Sequence, residues 1–496
     1  MDITVYTSAL NAVGIIDAFD SLLWHDKYTD IGSVELVVKM SDTNLSLLQT
    51  DRFLAIPYSN IYMVIETIEL KSDIENGDKL IVRGRPTVSI LDRRIIWSQT
   101  NLTGSFQTAI QTLLNESIIS PTDTDRRISN FQFLTSTNSA IVAASLVREQ
   151  FYGENLLEVI KELCYARDFG FRVYIDPIGP KIMPNGDMEL WSDASTLLNW
   201  IKNPVGTTTR EPTIKYAGTY SLKQYNAGAY SATYQSFTAL IPGRAYILSG
   251  WMKASGGPVN INIVNASWGL VQSIGVADGE TAFKTLTFIA NGTETIIYTY
   301  TNTGVTGYFD SVSLEPIGNY FTFSLYNGVD RSFNQLTNSQ VVFSPEFDNL
   351  LESDYIESVA AAKTVTLVAG EGDGSNMKTI SVAAPGGALT GLSRKEAFTD
   401  ATATSSTTAG GTLTTQQYND LLTEKGQIAL ADLGRISSFG ADVDATVSFI
   451  YGDDFFLGDI VQAQNEYGLE GPMRVSEVTI SEDVSGFKMF PTFEMI

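Results

Sequence analysis

Hydrophobic and polar residues alternate along most of this chain, as is typical of β-strands with one buried face. Early examples are residues 34–38, 61–70 and 79–85, and the last two flank Asn76-Gly77-Asp78. An Asn-Gly pair between two alternating runs favours a β-hairpin. The last sixty residues return to the pattern, with predicted strands at 445–450, 460–464, 473–480 and 487–493. The pattern predicts a mainly β protein built from β-barrel or β-sandwich domains and a few packing helices.

Helical spacing of apolar residues interrupts the strands in three segments. One is residues 104–116, in which Ser105 is an N-cap candidate, and another covers about 415–436. In residues 153–167 a single apolar face is formed by Leu156, Val159, Ile160 and Leu163. We therefore expect three helices to pack against the predicted strands.

Residues 185–316 have a composition of their own. They are rich in Trp, Tyr, Thr and Gly, and their 7 Lys and Arg nearly balance their 9 Asp and Glu. Alternating runs at 171–176 and 320–326 flank this block. Because the tip of a hairpin tolerates insertions well, the block is predicted to be a domain inserted there.

The full division has six parts, since 496 residues exceed what one hydrophobic core can organise. It consists of an N-terminal β-barrel (1–100), the first part of a helix-containing α+β domain (101–184), an inserted β-sandwich (185–316), the continuation of the α+β domain (317–398), a Ser/Thr/Gly linker (399–415), and a helix with a C-terminal β-barrel (416–496).

Composition and charge exclude several classes of function. The chain has 32 Lys and Arg against 56 Asp and Glu, a net charge of −24, so it is not built to hold a phosphate backbone. An acidic wall would still let DNA slide past, although acidity can also serve solubility alone. The single Cys164 and single His25 exclude a disulfide framework and a cysteine zinc site. With no nucleophile, phosphate-loop or metalloprotease motif, we expect no enzyme. No signal peptide or membrane-spanning run is evident.

Several runs of the inserted block carry a resemblance. Residues 185–191, 220–222, 234–237, 239–251 and 308–314 together resemble the jelly-roll carbohydrate-binding modules that are appended to glycoside hydrolases. A sugar site needs flat aromatic faces bordered by polar groups. The candidates for such a platform are Trp268, Trp200, Trp251, Tyr230 and Tyr298. The alternative for Trp251 is that it fills the core of the sandwich, whereas Trp268 lies in a turn-like context.

The same resemblance implies a structural calcium ion near the joined ends of the module. Glu189 and Asp310 are the positions that match, and carboxylates suit a hard cation. The alternative is that both are ordinary surface acids.

The outer segments resemble a different family. Residues 170–173, 327–332, 454–461, 467–469 and 473–478 are similar to baseplate hub proteins of long-tailed phages, over about 1–176 and 317–496. The resemblance implies a homotrimeric ring at the tail tip of the virion, assembled in the host cytoplasm, through which DNA passes without specific binding. The implied partners are the tail tube or distal tail protein, the tape-measure protein, a tail fibre or spike, and host cell-surface polysaccharide, which the inserted module would bind for attachment.

Two alternatives stay open at the level of sequence. A glycan-degrading enzyme with an appended binding module would need convergent carboxylates in a cleft. A purely architectural hub would have a non-binding insert, with Trp268 and Trp200 buried against protein.

Overall fold

The computed structural model describes all residues except 73–76, 129, 204, 239, 242, 291–293, 409–410, 444–448, 469 and 496. The chain forms two compact units. The first unit consists of residues 1–175 and 321–496, and the second of residues 176–320. The predicted mainly β class is confirmed.

The described residues form strands β1 to β32 and helices α1 to α5. Strands β1 to β11 are Ile3–Tyr6, Ala12–Ile16, Ser21–Lys27, Ser33–Lys39, Phe53–Ala55, Met63–Lys71, Lys79–Pro86, Thr100–Ser105, Phe131–Leu134, Ser145–Phe151 and Gly170–Ile178. Strands β12 to β21 are Ile201–Lys202, Thr207–Glu211, Ser221–Tyr225, Ser231–Phe237, Ala245–Ser255, Val259–Asn265, Leu270–Val276, Thr281–Ile289, Thr295–Thr301 and Thr306–Tyr326. Strands β22 to β32 are Val342–Phe343, Leu350–Ser358, Val365–Ala369, Thr379–Ala383, Glu396–Asp400, Thr407–Thr408, Gly411–Thr412, Ile436–Val443, Ile460–Gln464, Glu470–Asp483 and Gly486–Met495.

Helices α1 to α5 are Asp42–Leu47, Phe106–Leu114, Ser139–Ala143, Leu156–Tyr165 and Thr415–Asp432. Short 3-10 turns lie at Thr87–Arg93, Thr124–Arg126, Pro345–Phe347, Gly374–Asn376 and Gly391–Ser393, and a π turn at Asn115–Ile119. In the part of the chain that the structure describes, no helix is long and apolar enough to cross a membrane.

The first unit is built around one large sheet, in which antiparallel strands follow the order β2-β1-β5-β6-β7-β4-β3-β31-β32-β29-β23. The predicted hairpin is the β6–β7 pair, in which Lys71 lies opposite Lys79. Gly77 has the positive φ of +80° that a tight turn requires, while Asn76 lies outside the described residues. Most of the predicted strand 445–450 also lies outside them.

Strands from the two ends of the chain meet at the β3–β31 pair, where Trp24 lies opposite Ile480. The side chains of Trp24, Phe343 and Phe493 are buried in the same core. The prediction of separate β-barrels at 1–100 and 416–496 was therefore wrong, because both segments contribute strands to one sheet. Strand alternation identifies a buried face but carries no information about which distant strand is the partner.

A second core of the first unit forms around helices α2 and α4. All four predicted face residues of α4 are buried, and the Asn155 side chain caps its first turn through the N–H of Leu157. Phe171, before the second unit in sequence, and Phe323, after it, lie in this same core with their ring centroids 6.5 Å apart. The core is thus completed only when the chain returns from residue 320.

The predicted Ser/Thr/Gly linker 399–415 packs against α5 in its first part. Ala401 and Thr404 are buried, and the Tyr418 hydroxyl donates to the carbonyl oxygen of Thr404 at 2.9 Å. The Glu371 carboxylate accepts the N–H of Ser406 at 2.8 Å, and Lys378 and then Ser406 lower the pKa of Glu371 to about 2. Small residues permit this close packing. The same composition is also found in flexible linkers, so composition alone does not distinguish a packed segment from a flexible one.

The second unit is a β-sandwich of two antiparallel sheets, ordered β13-β14-β21-β16-β19 and β12-β15-β20-β17-β18. Leu248 and Phe309 from one sheet and Ile261 and Ile297 from the other are fully buried in a common core. The unit extends past the predicted range 185–316 at both ends. At the N-terminal end, Gly179 and Ile182 donate their N–H groups to the carbonyl oxygens of Pro316 and Leu314 in its last strand, each at 2.9 Å.

Replacing Tyr418 by Phe tests whether residues 399–415 are held as the structure shows. The Tyr418 hydroxyl also accepts the N–H of Glu371 at 2.6 Å, so its loss leaves a partly buried donor and a buried acceptor unpaired. We expect the free energy of unfolding in urea to fall by about 1–3 kcal/mol. The matched control is Tyr467→Phe, since Tyr467 is almost fully exposed. An unchanged midpoint for Tyr418→Phe would show that the segment is loose.

Candidate functional site

The five predicted platform residues have different environments in the second unit. Trp200 and Trp251 are each only 7% exposed, and the Trp200 Nε1–H donates to the carbonyl oxygen of Asn185 at 2.9 Å. Trp200 packs in the core of the sandwich, and Trp251 is covered beside Tyr216, with their ring centroids 6.3 Å apart. Neither indole presents a free face, which corrects their prediction as platform residues. Trp268 and Tyr230 are 53% and 42% exposed, and Tyr298 is half-buried.

Trp268 owes its exposure to the turn between β17 and β18. The Asn265 side chain accepts the N–H groups of Ser267 at 3.0 Å and Gly269 at 2.8 Å. Trp268 itself has φ of +62°, a left-handed conformation that costs a non-glycine residue about 1–2 kcal/mol. Keeping a large exposed indole at a strained position points to a role other than packing.

The rings around Trp268 form a continuous surface on the sheet β12-β15-β20-β17-β18. The Trp268 ring centroid lies 5.1 Å from Tyr234 and 5.9 Å from Tyr298. Tyr298 lies 6.1 Å from Tyr300, which stacks on Tyr230 at 5.8 Å. These five side chains, Tyr230, Tyr234, Trp268, Tyr298 and Tyr300, are called the aromatic platform below.

Tyr234 and Tyr300 were missed at the level of sequence. Tyr298 and Tyr300 are two residues apart on β20, and alternate residues of a strand point to the same face. Applying that rule to the candidate Tyr298 would have found Tyr300. Tyr234 lies directly opposite Tyr298 in the β15–β20 pair. Predicting it as a platform residue would have required the register of this pair, which the sequence does not give.

Polar, uncharged residues stand opposite Tyr298 and Tyr300, whereas a carboxylate lies further along the same face, where the Ser236 hydroxyl donates to Glu294 Oε1 at 2.8 Å. Asn262 lies opposite Tyr298 and Asn260 opposite Tyr300 in the neighbouring strand β17. The Ser273 hydroxyl donates to Asn262 Oδ1 at 2.6 Å. Residues that lie opposite one another on neighbouring strands form two rows across the sheet, one through Tyr298 and one through Tyr300. The first row is completed by Ile201, and the second by Ala232 and Gly275. No charged residue therefore stands in the rows that carry Tyr298 and Tyr300.

The platform tyrosines can donate hydrogen bonds from their hydroxyl groups. Burial, then the proximity of Tyr298 and Tyr230, raises the pKa of Tyr300 above its ordinary value, so this phenol stays protonated. Its hydroxyl donates to Asn302 Oδ1 at 3.0 Å, and Asn203 Nδ2 donates to the Tyr230 hydroxyl at 3.1 Å. Flat apolar faces bordered by amides and hydroxyls are the surface that a sugar ring can contact through its C–H and O–H groups.

The two predicted calcium ligands lie in the same unit and converge on one loop. Glu189 Oε1 accepts the N–H groups of Thr219 at 2.7 Å and Tyr220 at 3.0 Å. Asp310 Oδ2 accepts those of Tyr216 at 2.7 Å and Ala217 at 3.1 Å. Both carboxylates thus hold the loop 216–220, and burial raises the pKa of Asp310 despite these donors.

Carboxylate oxygens are the ligand type that calcium prefers, so this pair fits the ion in chemistry. Among the described residues, however, no third acidic, histidine or cysteine side chain joins them. Any further ligands at this place would be backbone carbonyl groups or water.

His25 and Cys164 lie in the first unit, where the first is hydrogen-bonded between strands and the second is buried in a helix. His25 Nδ1 lies 2.8 Å from Glu477 Oε1 and 3.0 Å from the Thr479 hydroxyl, across the β3–β31 pair. Cys164 is buried on α4, where burial raises the pKa of its thiol, which disfavours the reactive thiolate.

Comparison with known proteins places the chain in a family. The family model described as Siphovirus ReqiPepy6 Gp37-like protein matches residues 2–239 and 247–493. The chain belongs to this Gp37-like family of siphoviruses. The match runs through both units, so the sandwich is part of what the family model covers. None of the curated proteins matches the sequence.

Solved structures similar to this Gp37-like chain are of two kinds. Prophage tail protein gp18 from Listeria monocytogenes EGD-e is 9% identical, with 100% of this chain and 94% of that chain covered and a TM-score of 0.41. The 43 kDa tail protein of prophage MuSo2 from Shewanella oneidensis is 8% identical, with 100% and 98% covered and a TM-score of 0.45. A family 16 carbohydrate-binding module is 19% identical over 22% of this chain and 84% of that chain, with a TM-score of 0.19.

Gly218→Ala tests how the loop 216–220 is held. A Cβ at Gly218 would lie 2.1 Å from Glu189 Oε1, and φ at this position is +62°. We expect the substitution to reduce the free energy of unfolding by about 2–4 kcal/mol, from backbone strain and the displaced carboxylate together. The control is Gly279→Ala, where φ is +77° but a Cβ meets no atom within 4 Å. Equal losses for the two variants would mean that Glu189 does not hold the loop.

Proposed function

We propose that this chain is a structural tail protein of a siphovirus whose second unit binds neutral polysaccharide on the host surface. The aromatic platform is the observation that carries the binding proposal. Its five rings offer stacking faces, and Asn260, Asn262 and Ser273 stand beside them as hydrogen-bonding groups. Because the two central rows of the platform carry no charged side chain, the sugar is proposed to be uncharged.

The tail role is supported by membership of a siphovirus family and by the similarity of 454–461 and 473–478 to baseplate hub proteins. In this proposal, three copies form a ring at the tail tip. The ring contacts the tail tube or distal tail protein, the tape-measure protein and a fibre or spike. A net charge of −24 would let DNA pass without specific binding. Repetition around the ring would strengthen weak glycan contacts at each sandwich.

We propose that the chain is a binding and structural protein with no catalytic activity. Hydrolysis of a glycosidic bond normally needs two carboxylic groups beside the sugar, and no acid lies in the central rows of the platform. Release of reducing sugar from host polysaccharide by the purified chain would favour the alternative of a glycan-degrading enzyme.

The binding proposal is tested by titrating the full chain with purified host cell-wall polysaccharide in a calorimeter. We expect saturable binding that Trp268→Ala and Tyr298→Ala each weaken about tenfold, since each removes a stacking face. The matched control is Tyr225→Ala, an exposed tyrosine on β14 of the opposite sheet. No binding by the wild-type chain, or equal loss in the control, would leave the sandwich as architecture only.

We also propose that Glu189 and Asp310 hold a structural calcium ion beside the loop 216–220. Addition of calcium should then raise the melting temperature of the full chain, and Asp310→Asn should abolish the increase. Asp354→Asn serves as the control, because Asp354 lies in the first unit on β23. An identical melting temperature in calcium and in chelator would contradict the calcium proposal without affecting the platform.

A further inference from the structure

A group of arginines in the first unit contrasts with the acidity of the chain. Arg93 and Arg94 lie at the end of the 3-10 turn Thr87–Arg93, and Arg126 and Arg127 at the end of the turn Thr124–Arg126. These four residues are called the arginine patch. The chain as a whole has 56 acidic residues against 32 basic ones.

The patch is held together by backbone carbonyl groups. Arg94 donates to the carbonyl oxygens of Arg126 at 3.1 Å and Arg93 at 2.9 Å, and Arg126 donates to that of Ile95 at 2.7 Å. Arg93 pairs with Asp51, an exposed contact. Across the described residues, Arg94, Arg126 and Arg127 form no ion pair.

Charge repulsion accompanies this arrangement. Burial lowers the pKa of Arg94, and the neighbouring Arg126 and Arg93 lower it further. Arginine nevertheless keeps its charge at neutral pH, so the repulsion remains in the folded chain. A carboxylate from outside the unit would relieve it and would accept hydrogen bonds from guanidinium groups that lack an acidic partner.

Exposed aromatic side chains adjoin the patch. Trp97 is 63% exposed and Tyr152 is 70% exposed, and the Arg126 guanidinium lies 5.3 Å from the centre of the Trp97 ring. The backbone joins the two segments, since the Ile96 N–H donates to the carbonyl oxygen of Glu154 at 2.9 Å and the Gly153 N–H to that of Ile96 at 2.8 Å. Trp, Tyr and Arg are the residues most enriched where protein interfaces are strongest.

We propose that the arginine patch, with Trp97 and Tyr152, is a contact surface for a second copy of this chain. The copy supplies the carboxylates, because a net charge of −24 makes its surface complementary to the patch. The inference rests on the proposed ring of copies and assigns part of the surface through which they meet. It does not depend on glycan binding.

The test is sedimentation velocity of the full chain over a range of protein and salt concentrations. Wild-type chain should self-associate, and variants are compared with it at each ionic strength, because salt screens both attraction at the patch and repulsion between two chains of net charge −24. In the double variant Arg94→Glu/Arg126→Glu, the dissociation constant should rise at least about tenfold. The control Arg394→Glu/Arg435→Glu makes the same change of net charge at exposed arginines that pair with Glu396 and Glu357.

A second pair of variants keeps the test valid if Arg94→Glu disturbs folding. Arg127→Glu and Trp97→Ala alter exposed side chains, and each should weaken association by about three- to tenfold with an unchanged melting temperature.

Self-association that persists in all these variants would overturn the proposed contact surface while leaving the proposed ring intact. A wild-type chain that stays monomeric would overturn both. Tight binding of duplex DNA or polyphosphate by a monomer would show that the patch serves an anionic polymer instead.

Discussion

The return of the chain to the first unit after residue 320 is the constraint on which the fold depends. Phe171 and Phe323 pack in one core, although the whole second unit lies between them in sequence. Phe321 continues this contact by pairing with Phe131. The interruption is tolerated because β11 and β21 are paired, so the chain leaves and re-enters the first unit on adjacent strands. The β3–β31 pair likewise joins the two ends of the chain in one sheet.

Tryptophan has two different roles in the second unit, one in the core and one at the surface. Trp200 is enclosed and its indole N–H is satisfied by a backbone carbonyl, so it stabilises the sandwich. Trp268 is held out of the core by a strained turn that the Asn265 side chain organises. A turn that only reversed the chain would be better served by glycine at this position. The strain is therefore explained by the position of the indole beside Tyr234 and Tyr298.

Local features were predictable from sequence, and one long-range feature was too, the insertion of a separate unit between β11 and β21. Helix α4 and the β6–β7 hairpin followed from spacing and from an Asn-Gly signal over short stretches. The β3–β31 pair could not be predicted, because many alternating strands are equivalent as partners until a core selects among them. At the site, Trp268 was predicted from its turn-like context. The burial of Trp200 and Trp251 depends on contacts with residues distant in sequence, Asn185 for Trp200 and Tyr216 for Trp251, and the spacing of the tryptophans does not reveal them.

The central claim is that an aromatic surface with no charged residue in its two central rows recognises an uncharged glycan. The most direct measurement is the dissociation constant of the full chain for purified host cell-wall polysaccharide at about 0.05 M and about 0.5 M salt. Stacking and neutral hydrogen bonds are not screened by ions, so the account predicts the same constant at both concentrations. An affinity that falls steeply with salt would contradict the account, because it would mean that charged groups away from the aromatic platform carry the binding.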